Sequence, residues 1–268
     1  MTETKYGIKK AVTTLPITTL PVRDLLLVPH NGHDLVVAHP AFRSGTYNAR
    51  VKAMNGPYFH SEALPRVTFR PATTSESVGV SYYGFNEGGE FDAKRDIFDH
   101  AWLEAGRIGR SSEGVYANIP VDANGKPIID EKTLKEYLNN ARQVNGIWLV
   151  PNREIEGLED FGFAPYESFK TGIIKSGVFA RGGLARVLEH TNRKVAKNLA
   201  AISSTDNYPN SVNVWGFEPA NKGEVLSRVA ALSSDRDVGV DGLSVDGFNW
   251  DDSDNGCAFG VSESAEGA

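Results

Sequence analysis

Residues 228–261 read RVAALSSDRDVGVDGLSVDGFNWDDSDNGCAFGV, and the fold is decided by how this stretch is parsed. It opens on an apolar run, Val229, Ala230, Ala231 and Leu232, and closes on Ala258, Phe259 and Val261. Between them Val238 and Val240, then Leu243 and Val245, alternate with small or acidic residues. That is strand spacing, with one face in and one face out. The phase slips at Asp241-Gly242, and Asp246-Gly247 follows, which gives short strands joined by tight turns.

The composition of the stretch is peculiar. From Ser233 to Val261 there are seven Asp, at 235, 237, 241, 246, 251, 252 and 254, and no Glu, Lys, Gln or Met. Outside it Glu outnumbers Asp, 18 to 9, so a taste for Asp is not general in this chain. Turn chemistry accounts for part of this, because Asp, Asn, Ser and Gly form turns and Glu does not. The genetic code gives a second account. A codon that starts as AAC or AAT, with both adenines free to change, never encodes Lys, Glu, Gln, Met or Trp. Four of those five are absent here, and the fifth occurs once, as Trp250.

This pattern, with the frame RVA-x-L at 228–232 and G-x-AFGV at 256–261, resembles the variable region of proteins diversified by retroelements, in particular their archaeal and viral branch. In that family the variable region closes a C-type-lectin-like domain related to formylglycine-generating enzymes. The resemblance implies an α+β fold of short twisted antiparallel strands with two to three helices. It implies one such domain over residues 22–268, behind an extended N-terminal arm at 1–21, with a variable region at 233–257. It implies a non-enzymatic ligand-binding protein that works without a cofactor. Its partner would be a protein or other macromolecule, on a host or neighbouring cell surface.

A binding surface of this kind keeps its backbone and changes its outer side chains. Antibody paratopes use Ser, Gly and Asn for adaptable contacts and rigid aromatics or Arg as anchors. Gly247, Gly256, Phe259 and Gly260 read as framework, fixing turns and the last strand. Trp250, which such a codon cannot produce, reads as framework and as an aromatic anchor. The outward residues that would vary are Ser234, Asp235, Arg236, Asp237, Gly239, Asp241, Ser244, Asp246, Phe248, Asn249, Asp251, Asp252, Ser253, Asp254 and Cys257. Seven carboxylates in one patch favour a cationic partner and salt-sensitive binding. An ordinary acidic, strand-rich terminus without a partner is the plainer reading of the same residues.

Two other classes compete. The formylglycine-generating relatives are enzymes, so an active site without an obvious motif is one alternative. Their chemistry resembles a two-cysteine site, however, and this chain has one cysteine, Cys257, inside the stretch expected to vary. A viral structural protein whose terminal strands mediate assembly is the other.

Length and composition set bounds. At 268 residues the chain forms one large domain or two small ones. A net charge of −6 argues against nucleic-acid and anionic-membrane binding, both of which reward a basic surface. No apolar run is long enough to span a bilayer, and MTETKYGIKK does not read as a secretory signal, so a soluble protein is expected. A single cysteine forms no internal disulfide.

Along the chain, residues 25–38 predict a β-hairpin around Asn31-Gly32. In lectin-like domains the two ends of the chain meet in one sheet, and a hairpin here suits that. Arg66–Phe69 and Val78–Tyr83 read as strand fragments, and residues 84–89 as a loop. Residues 92–106 predict a helix on Ile97, Phe98, Ala101, Trp102 and Ala105, stopped by Gly106. Residues 115–122 predict a strand, with Asn124-Gly125 as a turn. Asp130 caps a helix with Leu134, Tyr137, Leu138 and Ala141 inward, and Ile147–Val150 is a strand. The longest helical pattern is 178–202, with Leu184, Leu188, Val195, Leu199 and Ile202 on one face and Arg186 on another. Val214–Phe217, VWGF, reads as a buried strand or turn that anchors the segment after it.

Other motifs fall short of a chemistry. His30-x-x-His33-Asp34 with His39 offers zinc donors without a clear fourth ligand, and a polar hairpin tip explains it as well. Asp251 to Gly256 matches half of an EF-hand loop, but position twelve is Ser262 and not Glu, so no metal is expected. Asp160-Phe-Gly lacks the other kinase motifs, and Gly177–Gly183 lacks the Lys-Ser/Thr of a phosphate loop. His60, His100 and His190 read as structural.

Overall fold

The structure is a computed structural model, which describes residues 24–43, 45–55, 68–86, 102–139, 141–151, 160–205, 210–234, 242–248 and 255–263. The expected arm at 1–21 lies outside the described residues. The chain is mixed α+β.

The hairpin forms as predicted. Strands β1 (Asp24–His30) and β2 (His33–His39) pair antiparallel, with His30 opposite His33. Asn31 and Gly32 both take positive φ, the backbone that suits a two-residue turn between right-twisted strands. The last strand of the chain, β14 (Gly260–Glu263), adds to β2, and β3 (Arg70–Pro71) adds to β14. Both ends of the described chain therefore share one four-stranded sheet, ordered β1-β2-β14-β3.

The second sheet is larger. Its strands are β4 (Trp102–Arg110), β5 (Gly114–Ala117), β6 (Arg142–Val144), β7 (Ile147–Leu149), β8 (Gly162–Pro165), β9 (Gly172–Lys175), β10 (Ser211–Trp215), β11 (Leu226–Ser234) and β12 (Leu243–Asp246). Their order is β6-β7-β8-β5-β4-β11-β12-β10-β9, and the short β13 (Gly256–Cys257) pairs with the start of β4. The neighbours are antiparallel except β10 with β12 and β13 with β4. One apolar core joins the two sheets, from Val28, Leu35 and Val37 to Leu103, Leu232, Val245, Phe259 and Val261.

Three expectations are corrected. Val78–Tyr83 is not a strand: it lies in helix α2 (Thr74–Asn86), which also absorbs the start of the expected loop at 84. The helix is buried on nearly every side, so it shows no polar face to mark its period. Its start is a capping box. The Glu76 backbone N–H donates to Thr73 Oγ1, and the Thr73 N–H donates to a Glu76 carboxylate oxygen. Second, the helix expected over 92–106 gives way to β4 from Trp102 onward, and residues 92–101 lie outside the described residues. Leu103, Ala105 and Ile108 face the core. Gly106 ends no helix: it sits at φ +112, and a Cβ there would lie 2.8 Å from the Thr74 backbone nitrogen.

Third, the helical pattern over 178–202 is broken into α4 (Ser176–Phe179), α5 (Gly183–Leu188) and α6 (Lys197–Ile202). His190 takes φ +45 just after α5. The Glu189 carboxylate accepts from the N–H groups of Lys197, Asn198 and Leu199, so it starts α6 afresh. Burial pushes Glu189 up to about 7, against the pull of those N–H groups. Arg186 is buried, and its guanidinium donates to the carbonyls of Val144, Asn145 and Arg193. With α1 (Tyr47–Met54) and α3 (Glu131–Leu138), six α-helices stand among the described residues where two to three were expected. Helix α3 is as predicted, capped by Asp130 and packed through Leu134. Among the described residues no helix is long and apolar enough to cross a membrane.

Candidate functional site

The expected variable segment divides sharply. Its flanks are frame. Val229 to Leu232, Leu243, Val245, Phe259 and Val261 are buried in the core. Residues 235–241 and 249–254 lie outside the described residues, and with them Asp235, Arg236, Asp237, Gly239, Asp241, Asn249, Trp250, Asp251, Asp252, Ser253 and Asp254. The expected residues that are described are Ser234, Ser244, Asp246, Phe248 and Cys257.

Three of these five do not face outward. Ser244, Asp246 and Cys257 are buried. All four residues of β12 are buried, Leu243 and Val245 in the core and Ser244 and Asp246 on the face that carries Trp215, so alternation no longer means inside and outside. Cys257 sits on β13 against β4 and within the core. Ser234 is half-buried at the end of β11, and Phe248 is 54% exposed.

Phe248 has a partner that the sequence reading placed inside the protein. Trp215, at the end of β10, is 44% exposed, and its ring stacks on Phe248 with centroids 6.4 Å apart and planes 24° apart. The alternation of β10 contains the signal: Val212 and Val214 face the core, so Asn213 and Trp215 take the other face.

The pair is held from below. Trp215 lies beside Asp246 in the parallel register, and its indole Nε1–H donates to Ser244 Oγ at 3.0 Å. The Asp246 carboxylate accepts from the Phe248 backbone N–H at 2.7 Å, and the Gly247 N–H donates to the Trp215 carbonyl. Gly216 turns the chain at φ +74, where a Cβ would lie 2.5 Å from that carboxylate and 2.6 Å from the Phe248 nitrogen. Arg110, reaching over from β4, donates to the Gly216 carbonyl and pairs with Glu218 at 3.0 Å. The Tyr166 hydroxyl donates to the Glu218 carbonyl, and burial pushes that phenol up to about 12. The result is a rigid corner that presents two aromatic faces.

The framework glycines have physical reasons. A Cβ on Gly256 would lie 2.7 Å from Glu104 Oε1 and 3.1 Å from Arg50 Nη1. Those two side chains form a wholly buried ion pair between α1 and β4, at 2.5 Å.

A second polar cluster lies away from this corner. Asp160 accepts from Thr73 Oγ1 at 2.6 Å and faces His190 Nδ1 at 3.3 Å, while His190 Nε2 donates to the Val150 carbonyl. Asn118 donates to the Asp160 carbonyl and accepts from the Thr74 N–H. Asn118, Asp160 and His190 all take positive φ. Both ring nitrogens of His190 are engaged with protein oxygens, so the cluster braces α2, β8 and α5. At the hairpin tip, His30 receives Asn31 Nδ2 and meets Ser75 Oγ at 3.2 Å, and burial holds it below the usual histidine value. Among the described residues no group of three or more His, Cys, Asp or Glu is placed to hold a metal ion.

The fold thus defines the class only broadly, as a mixed α+β protein with a large sheet. Comparison of the chain with protein-family models, curated proteins and solved structures gave no match.

Proposed function

We propose that this chain is a non-enzymatic ligand-binding protein on a C-type-lectin-like domain of the formylglycine-generating type. A retroelement diversifies its C-terminal surface so that variants bind different macromolecules. The observation that carries the reading is the division of residues 228–261. Buried strands hold both flanks and the centre, while the Asp-rich runs at 235–241 and 249–254 fall between the frame pieces. Phe248, an exposed residue of the segment, stands directly before the second run. The pairing of β14 with the N-terminal hairpin supports the lectin-like architecture, whose chain ends share a sheet.

Burial refines the set of variable positions. Ser244, Asp246 and Cys257 drop out, because a random side chain there would enter a packed interior. The test is nucleotide sequencing of this locus from many individuals of the source population. Differences should cluster in the first two bases of codons 234–237, 239, 241, 248–249 and 251–254, and spare codons 244, 246 and 257. An invariant segment, or one that varies in third bases, means that the Asp-rich composition is turn chemistry and ends the proposal.

A further inference from the structure

The charge of this chain is unevenly placed. Residues 166–205 hold seven Lys and Arg against two Glu, although the whole chain has 28 Lys and Arg against 34 Asp and Glu. Arg186 and Glu189 are spent inside the protein, on backbone carbonyls and on the start of α6. Lys170, Lys175, Arg181, Arg193, Lys194 and Lys197 are exposed, and Glu167 is the one exposed acid in the same stretch. Among the described residues none of these six cations is in an ion pair. The Ala196 N–H donates to the Ala180 carbonyl at 2.8 Å, so the backbone brings Lys197 beside Arg181. An acidic protein thus keeps one basic face that it does not neutralise itself.

Two further features share that face. β9 ends the large sheet, and its Gly172, Ile173 and Lys175 are exposed. Among the described residues no strand meets the backbone groups on its outer side, the ordinary condition of a sheet edge. Beside β9 lies a hollow of about 230 Å³, lined by Phe169, Ile174, Val178 and Phe179 together with Lys170 and Arg181, and Glu167 is the one acid on it. Small-molecule pockets are larger, roughly 300–1,000 Å³, so the hollow suits one or two aliphatic side chains.

Lysines beside an edge strand ordinarily keep it from pairing, and that accounts for Lys170 and Lys175. It does not account for Arg181, Lys194 and Lys197, which lie off the strand, or for an apolar hollow next to them. A nucleic acid or an anionic lipid surface answers the charge and offers no strand to the edge. An extended acidic peptide answers all three features. Its backbone adds to β9, an aliphatic side chain enters the hollow, and its carboxylates meet the cations.

We infer that β9 and the hollow beside α4 form a second docking groove, for an extended acidic segment of a partner protein that also carries aliphatic side chains. The groove stands apart from residues 233–257, so it holds whether or not that segment is diversified.

The test uses the intact, isotopically labelled protein and the capped peptide Glu-Leu-Glu-Val-Glu-Leu-Glu. The backbone N–H signals of residues 172–175 should shift in a saturable way, and added salt should weaken binding. Replacing every Glu of the peptide by Gln, or its Leu and Val by Ser, should each lower the affinity about tenfold. Two N-methylated peptides, one blocked at the Leu and Val amides and one at the Glu amides, should differ, because only one set of N–H groups points at the edge. Lys170→Glu combined with Arg181→Glu should weaken binding about tenfold and leave the melting temperature unchanged, since both side chains are exposed and unpaired. If that variant unfolds, the Gln peptide on the wild type carries the same comparison. No shift at millimolar peptide, equal binding of the Gln peptide, full binding of both N-methylated peptides, or tighter binding of a single-stranded oligonucleotide or of phosphatidylserine vesicles overturns the inference. A dimer in sedimentation that hides the β9 amides assigns the groove to a second copy and overturns it as well.

Discussion

Asp246 and Phe248 stand two residues apart in the same segment, yet the first is wholly buried and the second is 54% exposed. A codon-level view treats both as free to change. The fold does not. Asp246 lies at the end of a strand flanked on both sides, and its carboxylate organises the turn that carries Phe248 outward. The difference teaches that tolerance in this segment follows tertiary neighbours and not composition. A binding surface needs both kinds of residue: fixed ones that set the corner, and presented ones that a partner meets.

Substitutions can break this contrast. The largest effect should come from Gly256→Ala, because the added methyl drives into the buried Arg50–Glu104 pair. Denaturant unfolding should show a loss of about 3 kcal/mol, in the range for disrupting a buried ion pair. A change below about 0.5 kcal/mol would mean that position 256 belongs with the variable residues. Asp246→Ala should cost less, about 2 kcal/mol, the scale for losing a buried hydrogen-bonded carboxylate that caps a backbone N–H. If its stability matched wild type, the buried frame would not extend to β12. Phe248→Ser should be smallest, within about 0.5 kcal/mol of wild type, as for a surface change away from the core. A large loss there would move Phe248 from the presented class into the frame.

Local chemistry explains which parts were legible beforehand. The hairpin at 24–39 follows from Asn31-Gly32 between apolar runs, and α3 follows from Asp130 and its apolar stripe. The Thr73-x-x-Glu76 box was present in the sequence as the start of α2, but the Val78/Val80 alternation spoke for a strand. The break in 178–202 was not local. The apolar spacing continues across it, and the interruption depends on His190 reaching Asp160 and Val150 and on Glu189 reaching the α6 N–H groups. For the corner, the alternation of β10 sets Trp215 opposite Val212 and Val214, but the apolar run VWGF read as buried and hid it.

By itself the sequence determined that residues 228–261 combine strand-forming frame with an Asp-rich, Glu-free and Lys-free filling, because both properties are written residue by residue. It also determined the N-terminal hairpin, since a two-residue turn specifies its own register. Only the tertiary structure decided that β12 is an inner strand, that Ser244, Asp246 and Cys257 are enclosed, and that Trp215 meets Phe248 from 33 residues away in the chain. Strand order and stacking across the sheet arise from pairings between distant segments, and a period of two along one strand carries no record of which strands lie beside it.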